Sequence, residues 1–317
     1  VTAVDELLVV ILVYGTGGEY EPLLDALLRE GVPPGRIAIV HNPAEPGEPA
    51  PAVGDGCEVI EADRNLGYAA GMNLGIERQQ GRDGDLLLLL THDARLRAGA
   101  LAGLVEAARR NPEYGVLGPA LMWAGTDTPF SLGGITRANG TVAHLRHLPD
   151  GAGEIAACDW VDGGTMLLRT ELLRRVGGFD ERFWAYCEDA DLCLRACRAG
   201  FPAGVVRAAE ADQAPGGTKR PGPWAYLTTR NGAAYAHRAR GLRGLSFFSA
   251  RALLIVAENL ARALARLGRL RRGPPADPWA VAVGTGRGLL DLARGRWGPP
   301  PRLPGAGDLR NVAGPPG

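Results

Sequence analysis

Three acidic residues, Glu188, Asp189 and Asp191, fall close together at or just inside the start of a segment with helical periodicity, Asp189 to Ala199. A helix N-terminus favours negative charge. Carboxylates this close nevertheless repel one another, which raises at least one pKa and readies that group to accept a proton. That is the chemistry of a general base. The same residues also suit plain N-terminal capping, with Asp191 paired to Arg195 four residues on, and the spacing alone leaves both readings open.

A second set of polar groups follows short apolar runs. Leu7 to Val13, Arg36 to Val40, Cys57 to Glu61 and Leu86 to Leu90 read as strands, and the first, second and fourth are followed by Tyr14, by His41 and Asn42, and by His92 and Asp93. Helices are expected over 21–30, 69–80, 101–110, 167–176 and 189–199. The stretch 122–160 reads as irregular, with short strands near Ile135 and Thr141 to Leu145. Such alternation predicts an α/β fold with a mostly parallel sheet flanked by helices, because parallel strands need crossover connections. Ligands in such sheets bind at the carboxyl ends of the strands, so Tyr14, His41, Asn42, His92 and Asp93 are expected on one edge.

Composition narrows the class. Hydrophobic residues make up 46 % of the chain, enough for a buried core, and 35 basic residues balance 35 acidic ones. No broad positive field marks a nucleic-acid binder, so nucleic acid is not an expected partner. Cys57, Cys158, Cys187, Cys193 and Cys197 form no CxxC pair and read as reduced thiols of a cytoplasmic protein. The apolar runs noted above fall short of the ~20 residues of a spanning helix and follow no basic leader, so neither a signal peptide nor a transmembrane segment is expected. A long helix is predicted from Leu245 to Arg272, with Leu253, Val256, Leu260, Leu264 and Leu267 on one stripe and arginines toward its end. It suits packing against the preceding domain or peripheral contact with anionic lipid at the inner face of a membrane. Residues 274–317, rich in Pro and Gly, are expected to be largely disordered. Oligomeric state is not legible.

The segment 160–200, WVDGGTMLLRTELLRRVGGFDERFWAYCEDADLCLRACRAG, resembles the acceptor and catalytic region of family-2 glycosyltransferases of the GT-A fold. The likeness is greatest to the bacterial branch containing rhamnosyltransferases, where W-x-x-G-x-x-x-L-x-R precedes GGFDE-x-F and an ED-x-D-L-x-x-R helix. NLGYAAGMNLGI, residues 65–76, is similar to that family's N-x-G-x-x-x-G-x-N-x-G-I element beside the nucleotide, and Arg230-Asn231 fits its late R-N element. The resemblance covers about residues 7–240. It implies a GT-A (Rossmann-like) domain over 1–240; the apolar spacing and composition noted above add an amphipathic helical extension over 241–273 and the tail 274–317.

The resemblance implies that Asp189 deprotonates an acceptor hydroxyl, with Glu188 and Asp191 supporting the site, and that the reaction inverts the anomeric centre. It implies a nucleoside-diphosphate sugar as donor, with dTDP-rhamnose or another deoxysugar foremost. The acceptor would be a glycan, a lipid-linked intermediate or a small molecule. Tyr14, His41, Asn65, Gly67, Gly71 and Asn73 are the nucleotide candidates, because glycine admits close backbone approach and Asn offers donors and acceptors. Trp160, Gly163, Gly164 and Asp191 are expected around the acceptor and sugar pocket. A divalent cation, Mg²⁺ or Mn²⁺, would neutralise the departing diphosphate, with Asp93 in the last position of a D-x-D-like motif.

The chain departs from the family pattern at three places. His41 stands where an aspartate is common after the second strand, the D-x-D-like site reads Thr91-His92-Asp93, and Ala211 to Thr218 replaces a histidine-containing segment. Asp212, Gln213 and His92 are therefore expected as substitute ligands, and Lys219 and Arg220 as cations that could neutralise the diphosphate directly. Two rival functions follow: a catalytically impaired nucleotide-sugar binder, and a nucleotidyltransferase. The latter is disfavoured because Tyr14 to Gly18 lacks a following basic residue. A dinucleotide-binding oxidoreductase is weaker still, since no G-x-G-x-x-G follows the first strand.

Overall fold

A computed structural model describes residues 4, 6–15, 20–53, 56–148, 151, 153–214, 220–267 and 277–305. The chain divides into two compact units, one built from 1–135, 143–184 and 188–215, the other from 136–142, 185–187 and 216–317. Its elements run β1 (Leu8–Tyr14), α1 (Tyr20–Arg29), β2 (Ile37–Asn42), β3 (Glu58–Glu61), α2 (Gly67–Gln79), β4 (Leu86–Thr91), β5 (Arg95–Leu96) and α3 (Ala100–Arg110). There follow β6 (Val116–Trp123), β7 (Pro129–Ser131), β8 (Gly134–Thr136), β9 (Val142–His144), β10 (Ile155–Cys158), β11 (Thr165–Arg169) and α4 (Thr170–Val176). Last come α5 (Glu188–Arg198), β12 (Ala203–Gln213), α6 (Pro221–Leu267) and α7 (Pro278–Ala293).

In the first unit, one sheet is ordered β10-β12-β6-β11-β4-β1-β2-β3 among the described residues, with β5 on β12 and β7 on β6. The β4-β1-β2-β3 pairs are parallel, as are β6 and β12, whereas β11 runs antiparallel to both β4 and β6. The carboxyl ends of β1, β2, β4, β6 and β12 therefore share an edge with the amino end of β11. Both faces of β1 are covered, which is why it reads as an unbroken apolar run. Val9, Ile11 and Val13 join Leu23, Leu27, Leu101 and Leu104 in one core cluster. On the opposite face, a Cβ at Gly71 of α2 would lie 2.7 Å from Leu12, and one at Gly75 would collide with Val10.

Two differences from expectation concern this sheet. Residues 167–176 do not form one helix: Thr165–Arg169 is β11, and α4 begins at Thr170. A five-residue apolar run next to a helix has no period of its own, so tertiary pairing decides its conformation. The strands β6 and β12 add to the predicted set.

The second unit is helical. The long α6 begins at Pro221, before the predicted start, and is interrupted at Gly241, where φ is 64° and ψ is −153°. By length and composition alone it is long and apolar enough to cross a membrane, a feature that the short apolar runs of the strands do not show. The tail also differs from the expected disorder, since α7 occupies 278–293, with the Asp277 side chain accepting from the Trp279 amide at 3.0 Å. Its glycines are the reason it packs: a Cβ at Gly288 would lie 2.6 Å from the Tyr226 carbonyl of α6. Residues 274–276 and 306–317 lie outside the described set.

Candidate active site

The loop Asp162-Gly163-Gly164 enters β11 at the shared sheet edge. The Thr91 amide, at the end of β4, donates to the Gly164 carbonyl at 3.1 Å, and the Gly164 amide donates to Asp162 Oδ1 at 2.9 Å. The Gly163 amide donates to Asp189 Oδ2 at 3.2 Å, while its carbonyl accepts from the Tyr68 hydroxyl at 2.5 Å. One loop thus gathers Thr91 of β4, Tyr68 of α2 and Asp189 of α5. It also places Asp189 beside the strand end that leads, two residues later, to Asp93.

The electrostatics follow from that gathering. Burial, then the charge of Asp162, pushes the Asp189 carboxyl up to about 7, although amide hydrogen bonds from Ala190 and Gly163 oppose the rise. The Ala190 amide donates to the other oxygen, Oδ1, at 2.7 Å. Glu188 is only 6 % exposed, and its Oε2 has no hydrogen-bond partner among the described residues. Burial first and Asp189 second raise its pKa well above the usual carboxylate range. Burial, followed by Glu188 and Asp189, likewise raises the Tyr68 hydroxyl. Tyr68 and Asp162 were not among the residues singled out from sequence; an acid placed directly before two glycines was the available signal.

Asp191 is fully buried, and its Oδ2 accepts from the Arg195 Nε at 2.9 Å. The same guanidinium donates to the carbonyls of Val176 and Gly178, each at 2.8 Å. Asp191, through Arg195, therefore ties α5 to the Gly177-Gly178 loop. Trp160 is also a core residue, 5 % exposed, with its ring against His144 at a centroid separation of 4.9 Å and filling the space where a Gly134 Cβ would be.

The nucleotide candidates divide. Asn42 is buried and orders the turn before α2: its Oδ1 accepts from the Leu66 amide at 2.7 Å, and its Nδ2 donates to the Gly67 carbonyl at 3.2 Å and to Asn65 Oδ1 at 3.3 Å. Asn65 Oδ1 also accepts from the Gly67 amide at 2.9 Å. Gly67 has φ of 77° and abuts Trp184, so its glycine requirement comes from the turn. Gly71 makes room for Leu12. Asn73 holds the GGFDE loop: its Oδ1 accepts from the Phe179 amide at 2.8 Å, and its Nδ2 donates to the Phe179 carbonyl and to Glu181, each at 2.9 Å. The close contacts formed by Gly67, Gly71 and Asn73 are thus with the protein itself. Tyr14, 37 % exposed, and the buried His41, whose Nε2 has no partner among the described residues, stand at the ends of β1 and β2.

The expected metal set does not come together. Asp93 is exposed at the strand edge next to His92. Asp212 accepts from the Arg97 Nε at 2.8 Å, and the same guanidinium reaches Glu210 at 2.6 Å. The Gln213 side chain donates to the Ala214 carbonyl at 3.2 Å. No group of three or more His, Cys, Asp or Glu is arranged to hold a metal ion among the described residues. An arginine already neutralises Asp212, so these residues do not fit the cation implied by the resemblance. Arg220 precedes α6, its carbonyl accepting from the Trp224 amide at 2.9 Å. Lys219 lies outside the described residues.

The late Arg230-Asn231 element lies within the second unit. Asn231 Nδ2 donates to the carbonyls of Ala185 and Tyr186 at 2.7 and 2.9 Å, while its Oδ1 accepts from the buried Arg230 at 2.9 Å. It fastens a turn in which Tyr186 and Cys187, the two residues before Glu188, have φ of 70° and 69°.

Two family models match, one described as Glycosyl transferase family group 2 over residues 86–268, the other as Glycosyl transferase family 2 over residues 8–152. The chain belongs to the family 2 glycosyltransferases. It is 27 % identical over 232 residues to the N-acetylglucosaminyl-diphospho-decaprenol L-rhamnosyltransferase of Mycobacterium tuberculosis, covering 65 % of this chain and 75 % of that one. It is 52 % identical over 42 residues to the rhamnosyltransferase WbbL of Escherichia coli, covering 13 % of this chain and 16 % of that one. Among solved structures, the mannosyltransferase PcManGT of Pyrobaculum calidifontis, in complex with GDP-Man and Mn²⁺, superposes with a TM-score of 0.52 at 14 % identity, covering 91 % of this chain and 87 % of that one. GalNAc-T7 with UDP, GalNAc and Mn²⁺ gives 0.55 at 12 % identity, covering 76 % of this chain and 54 % of that one. At such low identity these neighbours establish the GT-A fold alone.

Proposed function

We propose that this glycosyltransferase inverts the anomeric centre as it moves a deoxysugar, rhamnose foremost, from a nucleoside diphosphate to a hydroxyl of a lipid-linked or glycan acceptor in cell-wall or polysaccharide biosynthesis. The observation that carries the reading is the Asp189 carboxylate, held by the Gly163 amide at the carboxyl edge of the sheet with its pKa pushed up to about 7. A base tuned to that range is charged enough to accept a proton and basic enough to pull one from an alcohol. The acceptor O–H proton passes to Asp189 as the oxygen bonds to the anomeric carbon. The bond from that carbon to the diphosphate oxygen breaks on the opposite face, its electron pair leaving with the diphosphate. Single displacement of this kind inverts the centre.

Glu188, buried beside the base, has its pKa raised by burial and then by the charge of Asp189, so it holds its proton more tightly than an ordinary carboxyl. Tyr14 and His41 are the nucleotide contacts that the geometry favours, and Arg220 and Lys219 are cations for the diphosphate. The rhamnosyl preference rests on the two rhamnosyltransferase relatives. The altered metal positions favour a second reading, an impaired donor-binding homologue.

A thermal-shift titration with nucleoside diphosphates and their sugars, with and without Mn²⁺, tests the donor, because a ligand that binds the native state raises the melting temperature with occupancy. A selective rise with one nucleotide and its deoxysugar supports the reading. Equal responses to all, or to none, overturn it. Donor hydrolysis or transfer by the same protein separates an active enzyme from the impaired homologue.

A further inference from the structure

The part of α6 beyond Gly241 carries its apolar residues on the outside. Leu242, Leu253 and Leu264, spaced by three helical turns, are 72, 60 and 68 % exposed, and Leu254 and Phe247 beside them are 64 and 49 % exposed. At 3.6 residues per turn Leu242, Leu253 and Leu264 fall in one line along the helix, and Phe247 and Leu254 lie about a quarter to a third of a turn round from it, making one broad exposed face. The buried side is lined by smaller groups, Gly244, Ala252 and Asn259. A helix packed into a protein core shows the reverse arrangement.

Charge indicates what covers this face. Arg251 and Arg262 are exposed along one border of the stripe, and the sequence continues with Arg266, Arg269, Arg271 and Arg272. Glu258 is the one acidic residue between 242 and 272 in a chain whose formal net charge is zero. Basic residues within and beside an exposed apolar face are complementary to an anionic bilayer surface, where leucines enter the acyl boundary and guanidinium groups meet phosphates. Crossing the bilayer is a poorer use of the segment, since Arg251, Glu258 and Asn259 would lie within the hydrocarbon.

We infer that the 242–267 helix docks the protein in the plane of an anionic lipid surface. This assignment is independent of the transfer reaction. The test is co-sedimentation of the full chain with phosphatidylcholine vesicles, with and without phosphatidylglycerol, at low and high salt. Binding is expected on the phosphatidylglycerol vesicles, at least tenfold weaker on pure phosphatidylcholine, and reduced by salt. Leu254→Glu with Leu264→Glu, and separately Arg251→Glu with Arg262→Glu, are each expected to weaken binding at least tenfold while circular dichroism stays unchanged. These positions are exposed, and the arginine pair provides a readout even if the leucine pair perturbs folding. Failure to bind, equal binding to neutral vesicles, or release by detergent but not by alkaline carbonate would overturn the inference. So would a dimer in light scattering that the leucine pair converts to monomer, which would assign the stripe to a second copy.

Discussion

Asp189 Oδ2 accepts a hydrogen bond from the Gly163 amide at 3.2 Å, and the residue before that glycine, Asp162, directs its own negative charge at the same carboxylate. A single loop fastens the group and, in support of burial, makes it more basic. Fixing and tuning a base with the same short segment couples its position to its pKa.

Replacement of Asp189 by Asn preserves size and much of the hydrogen bonding but removes the proton acceptor. Transfer is expected to fall by about 10²- to 10⁴-fold, the usual worth of a general base, with donor binding retained. Steady-state kinetics alongside donor titration by melting temperature checks both halves. Substantial residual transfer would remove Asp189 from the role.

The rate should depend on pH through the same group. Only ionised Asp189 can take the proton, so kcat/KM is expected to rise through a midpoint near the raised value of about 7 and level off above it. Asp162→Asn deletes a charge that raises that pKa, so its profile should keep its shape and move to lower pH. An unmoved midpoint would show that Asp162 does not act on the base.

Stability should run the other way. Asp189 and Glu188 both hold protons more tightly when folded, so their contribution is complete below the unfolded carboxylate range of about 4 and is lost as pH rises toward and through the folded value. For Asp189 that window spans roughly pH 4 to 7. Melting temperatures at pH 5 and pH 8 should show Asp189→Asn gaining on the natural protein at the higher pH, and a constant difference would contradict this.

Gly71 tests the packing of α2 on β1. An added methyl would lie 2.7 Å from the Leu12 side chain, whereas a Cβ at Gly35 meets nothing within 4 Å. Gly71→Ala is expected to cost about 1–3 kcal/mol from overpacking, and Gly35→Ala to be near neutral, as read by chemical denaturation.

Asn231 should act on the rate through the backbone that it holds. Asn231→Ala leaves the Ala185 and Tyr186 carbonyls without their shared donor, a loss of about 1–3 kcal/mol. It should lower kcat more than it changes donor affinity. Asn231→Asp should fail equally despite its matching shape, because a carboxylate cannot donate; full activity in that variant would refute the positioning role.

Much of this arrangement was legible locally. The buried strands β1, β2 and β4 read as apolar runs, and the acids at the start of α5 stood out because their repulsion is a property of neighbours in sequence. Asp191 with Arg195 was visible as an i,i+4 pair. Tyr68 and Asp162 were not, since neither lies near Asp189 in sequence and the fold alone brings them together. Glycine signals close approach without naming what approaches: at Gly71 it is the Leu12 side chain that comes close. Arg97 escaped notice for the same reason, its partners Glu210 and Asp212 being far along the chain. The small residues that made α7 resemble disordered chain are those that let it lie close against α6.

The turn ahead of α5 carries a conformational cost. Trp184, Tyr186 and Cys187 occupy a backbone region that glycine tolerates far better, in a chain with 46 glycines elsewhere. Glycine at these positions would relieve that backbone cost, and would also free the short turn that runs directly into Glu188 and Asp189.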